Sequence, residues 1–171
     1  MKIEGLRDLF EIGLRYVYDC ENKLVKKGLP NMVDASSSPE LRQAFEQHLR
    51  ETQNHVTRLD QVFSMIGKDP DTESNDILDA MTKAAEKQIK NIDASPLRDA
   101  ALIESGNLVE HYEMAAYGTA RTLANQSAYD RAASVLQETL EEEKAADRKL
   151  TEIAESAVNR QAAARVGTST S

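Results

Sequence analysis

Acidic residues and histidines recur at positions where an amphipathic helix should be apolar. Steps of three and four residues keep side chains on one helical face. Traced that way, one stripe reads Leu14, Val17, Glu21, Leu24. A second reads Ala44, His48, Glu51, His55, Leu59, Val62, Ile66. A third reads Ile103, Asn107, Glu110, Met114, Tyr117, with Glu113 one turn on from Glu110. The fourth reads Ala133, Leu136, Leu140, Glu143, Asp147, Leu150, Ala154. Every stripe carries a carboxylate near its middle, and none carries Lys or Arg. A buried carboxylate is costly unless it is paired or bound to a metal. Four stripes doing this at one height imply convergence, with divalent cations as the neutralising charge. Oxygen-rich ligation with one or two imidazoles suits iron or manganese better than zinc or copper.

Taken singly, several of these residues have plainer readings. Glu21 is placed to reach solvent at a stripe edge. Glu143 belongs to the run Glu141-Glu142-Glu143, and acidic runs are usually solvated faces. Its phase with Leu136, Leu140 and Leu150 is what singles it out. His48 and His111 read as hydrogen-bonded structural residues, not as ligands. Tyr18 lies one turn before Glu21 and Tyr117 one turn after Glu113, so either phenol is placed to bond a carboxylate or simply to pack.

The elements that must position these groups are clearly punctuated. A first helix is predicted over residues 5–27, with Leu6, Leu9, Phe10, Gly13, Val17, Cys20 and Leu24 on one side and Gly28 and Pro30 stopping it. Ser38-Pro39 opens a second, running to about Ile66 before Gly67. Ser95-Pro96 opens a third, ending near Ala124. Ser127, with Asp130 three residues on, opens a fourth that continues to about Asn159. About ten residues join the first two helices and two or three join the last two, so both pairs form antiparallel hairpins. Between the hairpins lie about 28 residues with a weaker helical segment, Glu73 to Lys90. Two hairpins and one long crossover containing a short extra helix make an all-α, ferritin-like four-helix bundle. It is assigned residues 1–160, with 161–171 as a polar tail.

Composition narrows the function. The 171 residues are 40% hydrophobic and 29% charged, which suits one globular domain. A net charge of −8 disfavours binding to a phosphate backbone, so no nucleic-acid partner is expected. No apolar run approaches the length that spans a bilayer. Residues 1–20 mix charges among apolar positions and do not read as a secretory signal, so the cytoplasm is expected. One cysteine, Cys20, excludes an internal disulfide and a cysteine-based zinc site, and reads as a small buried hydrophobe.

Three stretches carry a resemblance. Glu51-Thr52-Gln53-Asn54-His55-Val56-Thr57-Arg58-Leu59 resembles the second helix of the bacterial YciE/YciF family of stress-associated, ferritin-like proteins. Val109-Glu110-His111-Tyr112-Glu113-Met114-Ala115-Ala116-Tyr117-Gly118-Thr119-Ala120 is more specific, as is Glu138-Thr139-Leu140-Glu141-Glu142-Glu143-Lys144-Ala145-Ala146-Asp147-Arg148-Lys149-Leu150. The resemblance covers about residues 5–160. It implies a helical homodimer with a centre for two divalent metal ions. Glu110 and Glu113 resemble the extra ligand that rubrerythrins add on this helix, which implies peroxide chemistry. Two features depart from the wider pattern of Glu-x-x-His on helices two and four. Glu51 and His55 are four apart, and the fourth helix offers Glu143 with Asp147 and no histidine.

The expected metal ligands are therefore Glu21, Glu51, His55, Glu110, Glu113 and Glu143, with Asp147 either a ligand or a residue orienting one. Bridging carboxylates would hold two iron or manganese ions roughly 3.5–4 Å apart, where peroxide or dioxygen can bind both. No rubredoxin-like cysteine cluster is present, so electrons would come from a separate molecule. The alternative reading is a non-catalytic helical dimer, an interaction protein whose metal site is structural or vestigial. Iron storage in a large shell ranks third, because the resemblance points to dimers.

Overall fold

The computed structural model describes residues 2–166. Every regular element among them is helical. The order is α1 (Leu6–Lys23), a π-helical turn (Leu24–Gly28), α2 (Leu29–Ala35), α3 (Pro39–Met65), α4 (Asp76–Lys90), α5 (Pro96–Gln126), α6 (Asp130–Ile153), a second π-helical turn (Ala154–Val158) and α7 (Asn159–Val166). None of these helices is long and apolar enough to cross a membrane.

Two helix starts form as their sequences predict. The Ser38 hydroxyl accepts from the Leu41 amide, and the Ser95 hydroxyl from the Arg98 amide, each with proline in the first turn. Asn75 caps α4 in the same way, through the Leu78 amide. Three boundaries differ. Gly28 and Pro30 do not stop the first helix. The chain widens into a π turn, where the Leu29 amide bonds to the Leu24 carbonyl, and continues to Ala35. Pro30 then sits in the first turn of α2, directly after the π turn. Only residues 36–38 join α2 to α3, and buried Asp99 secures them by accepting from the Ser37 and Ser38 amides at 2.7 and 2.9 Å.

Ser127 closes α5 and does not open α6. The Tyr129 amide bonds to the Ala124 carbonyl and the Ala128 amide to that of Asn125, the two bonds of a Schellman cap. Ala128 occupies the left-handed position of this cap, at φ 62°. The last rod also runs on past Asn159: the π turn at Ala154–Val158 carries it into α7, which ends at Val166. Residues 167–171 of the expected tail lie outside the described residues.

α1 and α6 each pack against both α3 and α5, while α4 lies on α5. Two apolar clusters result, each drawing on all four long helices. One contains Phe10 and Leu14, Leu59 and Phe63, Ala120 and Ala124, Leu136 and Leu140. The other contains Cys20 and Leu24, Leu41 and Phe45, Leu102 and Ile103, Leu150 and Ile153. A fully buried leucine or phenylalanine contributes about 1.5–3 kcal/mol, which offsets the cost of a polar band held between the clusters. Gly106 allows α5 and α6 to meet closely, since a Cβ there would lie 2.8 Å from Leu150 Cδ1. Leu6 and Leu9, expected on the inner side of α1, are 52% and 43% exposed. Leu9 is about 100° round the helix from buried Phe10, so it joins a lateral face with Tyr16.

Candidate metal centre

Helical phase decides which side chains enter the polar band. On α3 the buried line is His48, Thr52, His55, Leu59. A step of seven returns to within about 20° of the same direction, so the two imidazoles point alike. Glu51 lies about 60° off that line and is half-buried. On α5, Glu110, Glu113 and Tyr117 are all buried, as are Glu21 on α1 and Glu143 on α6.

Glu143 is the hub. Its Oε1 lies 3.1 Å from His55 Nδ1, and its Oε2 lies 3.7 Å from His48 Nε2. Around it are two groups whose ligand atoms lie within 4.8 Å of one another: His48, Glu110, Glu113 and Glu143, and Glu21, His55 and Glu143. Glu110 Oε1 is 3.1 Å from His48 Nε2, and Glu21 Oε1 is 3.5 Å from His55 Nδ1. Buried oxygens of Glu21, Glu110, Glu113 and Glu143 have no hydrogen-bond partner within the protein. Such orphans are rare in folded proteins.

The electrostatics show a site dependent on external positive charge. Burial, then the neighbouring charges of Glu21, Glu143 and Glu110, push the Glu113 carboxyl well above its ordinary range. Burial and Glu21 raise Glu143 to about 7 against the opposing bond from His55. Burial alone would lower both histidines, but the carboxylates outweigh it. His55 rises to about 10 beside Glu143 and Glu21, and His48 rises well above its usual value beside Glu110, Glu51 and Glu143. Protons thus supply the positive charge. Two divalent cations with neutral imidazoles would balance the four carboxylates equally well, and the donor set fits them.

Supporting residues surround the His55 side. Its outward Nε2 lies 2.8 Å from Glu142 Oε2. Arg58 grips Glu142 with two bonds of 2.6 and 2.8 Å, and Glu142 is held below the usual carboxylate range by Arg58 first, against burial, and then by His55. An ionised Glu142 accepts a hydrogen bond from Nε2–H, which leaves Nδ1 facing the interior. The buried Tyr117 hydroxyl donates to Glu21. Burial and the charges of Glu21 and Glu143 keep that phenol protonated. Tyr18 instead donates to Asp60 at 2.7 Å. The Cys20 thiol is wholly buried, 3.6 Å from Glu113 Oε1, and burial with the nearby carboxylates pushes its pKa well up.

Of the residues expected from sequence, Glu21, His55, Glu110, Glu113 and Glu143 come together. Glu51 stands at the rim, its Oε2 3.6 Å from His48 Nδ1. Asp147 turns away toward exposed His111, 3.1 Å from its Nε2. His48, read from sequence as structural, joins the group. The available signal was its spacing of seven from His55. Glu142 was hidden in an acidic run, and no pattern pointed to Arg58.

Fold and site together define an all-helical protein with a buried carboxylate–imidazole centre assembled from four helices. The chain belongs to the family described as a domain of unknown function, DUF892, whose model matches residues 5–163. It is 39% identical over 145 residues to protein YciF of Escherichia coli (strain K12), covering 80% of this chain and 82% of that one. The structure is similar to that of the E. coli stress protein YciF, with a TM-score of 0.87 at 39% identity over 92% of this chain and 99% of the other. It is also similar to YcfI, a proposed structural protein from Rhodopseudomonas palustris, with a TM-score of 0.85 at 36% identity over 88% and 95% of the two chains.

Proposed function

We propose that this chain is a stress-associated, ferritin-like four-helix bundle of the cytoplasm whose core holds two divalent ions, iron or manganese, and acts on peroxide or dioxygen. Support for the bundle comes from the mutual packing of α1, α3, α5 and α6, and from the long connection carrying α4 between α3 and α5. The observation that carries the metal reading is Glu143, whose two oxygens face two imidazoles within buried, partnerless carboxylates. Glu21, His55 and Glu143 would hold one ion, and His48, Glu110, Glu113 and Glu143 the other.

A bound pair of iron or manganese ions supplies two-electron exchange with an oxidant. The chain's own part is positioning and exclusion. Tyr117 orients Glu21, and Glu142 fixes the His55 tautomer through Nε2. The apolar clusters on either side keep water from the carboxylates. A second copy of the chain is the proposed partner, docking on the lateral face of Leu6, Leu9 and Tyr16, and light scattering tests it.

A second reading keeps the site but not the chemistry. The imidazole–carboxylate contacts already balance much of the charge with protons, as a purely structural network would. One experiment separates the two. Protein loaded with ferrous iron under nitrogen is mixed with peroxide and followed optically. A charge-transfer band supports the oxidant reading. Bound iron with no spectral change leaves the structural one.

A further inference from the structure

The buried centre is not closed on every side. Between α3 and α6 lies a cavity of about 480 Å³, lined among others by Phe45, His48, Glu51, Glu110, Ala146 and Leu150. Its floor is the His48 side of the centre: His48 is 6% exposed and Glu110 3%. The Nδ1 of His48 and the Oε2 of Glu110 are both buried without hydrogen-bond partners. The rim is charged. Lys149 of α6 pairs with Glu40 of α3 at 3.2 Å, so that carboxylate is already compensated. Glu51 has no Lys or Arg partner among the described residues. Its Oε1 accepts from Gln47 at 2.8 Å, and Gln47 is itself held by Arg50 at 2.8 Å. Its Oε2 is the oxygen 3.6 Å from His48 Nδ1.

A carboxylate anchored by Gln47, with no Lys or Arg ion pair among the described residues, thus stands between open solvent and a buried imidazole. From this juxtaposition we infer that the α3–α6 cleft is the entry route for divalent cations, and that Glu51 is a transit ligand: it captures the cation at the mouth and passes it to His48 and Glu110. The inference rests on the reading of the buried residues as a metal centre. It assigns Glu51 a role in the rate of loading, distinct from that of the residues which retain the ion. A cavity of this volume has room for a hydrated cation; Arg50 and Lys149 also line it, so the attraction is local to the carboxylates of Glu51 and Glu110 along the path and does not come from the rim as a whole.

The test is stopped-flow uptake of Co²⁺ by the full, metal-free chain, followed through its visible absorption. Two variants act on the route in different ways. Glu51→Gln removes the mouth charge, and Ala146→Trp fills the passage without touching a carboxylate. Glu141→Gln, on an exposed carboxylate outside the cleft, is the control. The route predicts that both cleft variants slow uptake roughly tenfold, reach the same final cobalt spectrum, and leave the control at the original rate. Uptake within about twofold of the unaltered chain in both would overturn the route while leaving the centre standing. A changed final spectrum in Glu51→Gln would make Glu51 a resident ligand and overturn the transit role. An unaltered chain that takes up no Co²⁺ would overturn the buried centre and the route with it.

Discussion

His48 and His55 lie on one face of α3 and share Glu143, yet their surroundings are opposite. His55 is sealed. Its outward nitrogen is held by Glu142, Glu142 is gripped by Arg58, and the neighbouring Glu21 is held by Tyr117. His48 floors a cleft, its Nδ1 has no partner, and its outward neighbour Glu51 is half-exposed. The same ring at the same helical phase is locked in one place and lies beneath a cleft in the other. The comparison teaches that rigidity and access are divided between the two positions instead of being compromised at each.

The largest effect is expected where the two halves meet. Glu143→Ala removes the carboxylate common to both groups, so metal content after loading with Mn²⁺ falls from two ions per chain to less than one. Elemental analysis checks this, and retention of both ions would break the symmetry of the hub. Next, Glu142→Ala frees the His55 ring and leaves Arg58 unpaired. It weakens the His55 position by about 10–100-fold while the His48 position changes little. Competitive titration resolves the two, and equal weakening would show that Glu142 does not act through His55.

The third expectation concerns pH. In the metal-free chain His55 rises from 6.5 to about 10 and Glu143 from 4.5 to about 7. Both therefore bind protons more tightly folded than unfolded, so their contribution is greatest below the unfolded values and is lost as pH rises through the folded ones. The Tm of metal-free protein should fall between pH 5 and pH 10. Metal-loaded protein should fall less, because the cations replace the protons. A Tm rising with pH in the metal-free form would contradict the charge assignment. A smaller effect is expected from Asp147→Asn, which should leave both positions occupied because Asp147 faces His111. Ala128→Gly relaxes a left-handed alanine far from both histidines. It should add about 1 kcal/mol of stability with unchanged metal content in calorimetry and elemental analysis. A change in metal content there would mean the other variants report global stability.

Much of this architecture was legible in the sequence. Ser38-Pro39 and Ser95-Pro96 announce their helices because a hydroxyl cap and a proline first turn act locally. Gly28-Leu29-Pro30 misleads because a π turn absorbs the proline that would break an ordinary helix. Ser127 misleads because one residue type serves either end, and the backbone bonds of Tyr129 and Ala128 decide which. The inward carboxylates of α1, α5 and α6 were legible from phase alone. Glu51 and His48 were not separable that way, since both fall within a turn of His55 or its repeat. Their burial is decided by α6, whose approach covers His48 and leaves Glu51 at the cleft. Glu142 and Arg58 come from different helices, 84 residues apart, and no local pattern reports such a pair.

The central claim is that two cation positions share Glu143. Anomalous diffraction from crystals grown with Mn²⁺, recorded on the two sides of the manganese edge, tests it most directly. The account predicts two peaks inside the helices, one beside Glu21, His55 and Glu143, the other beside His48, Glu110, Glu113 and Glu143. A single peak, or peaks only at the protein surface, would contradict it.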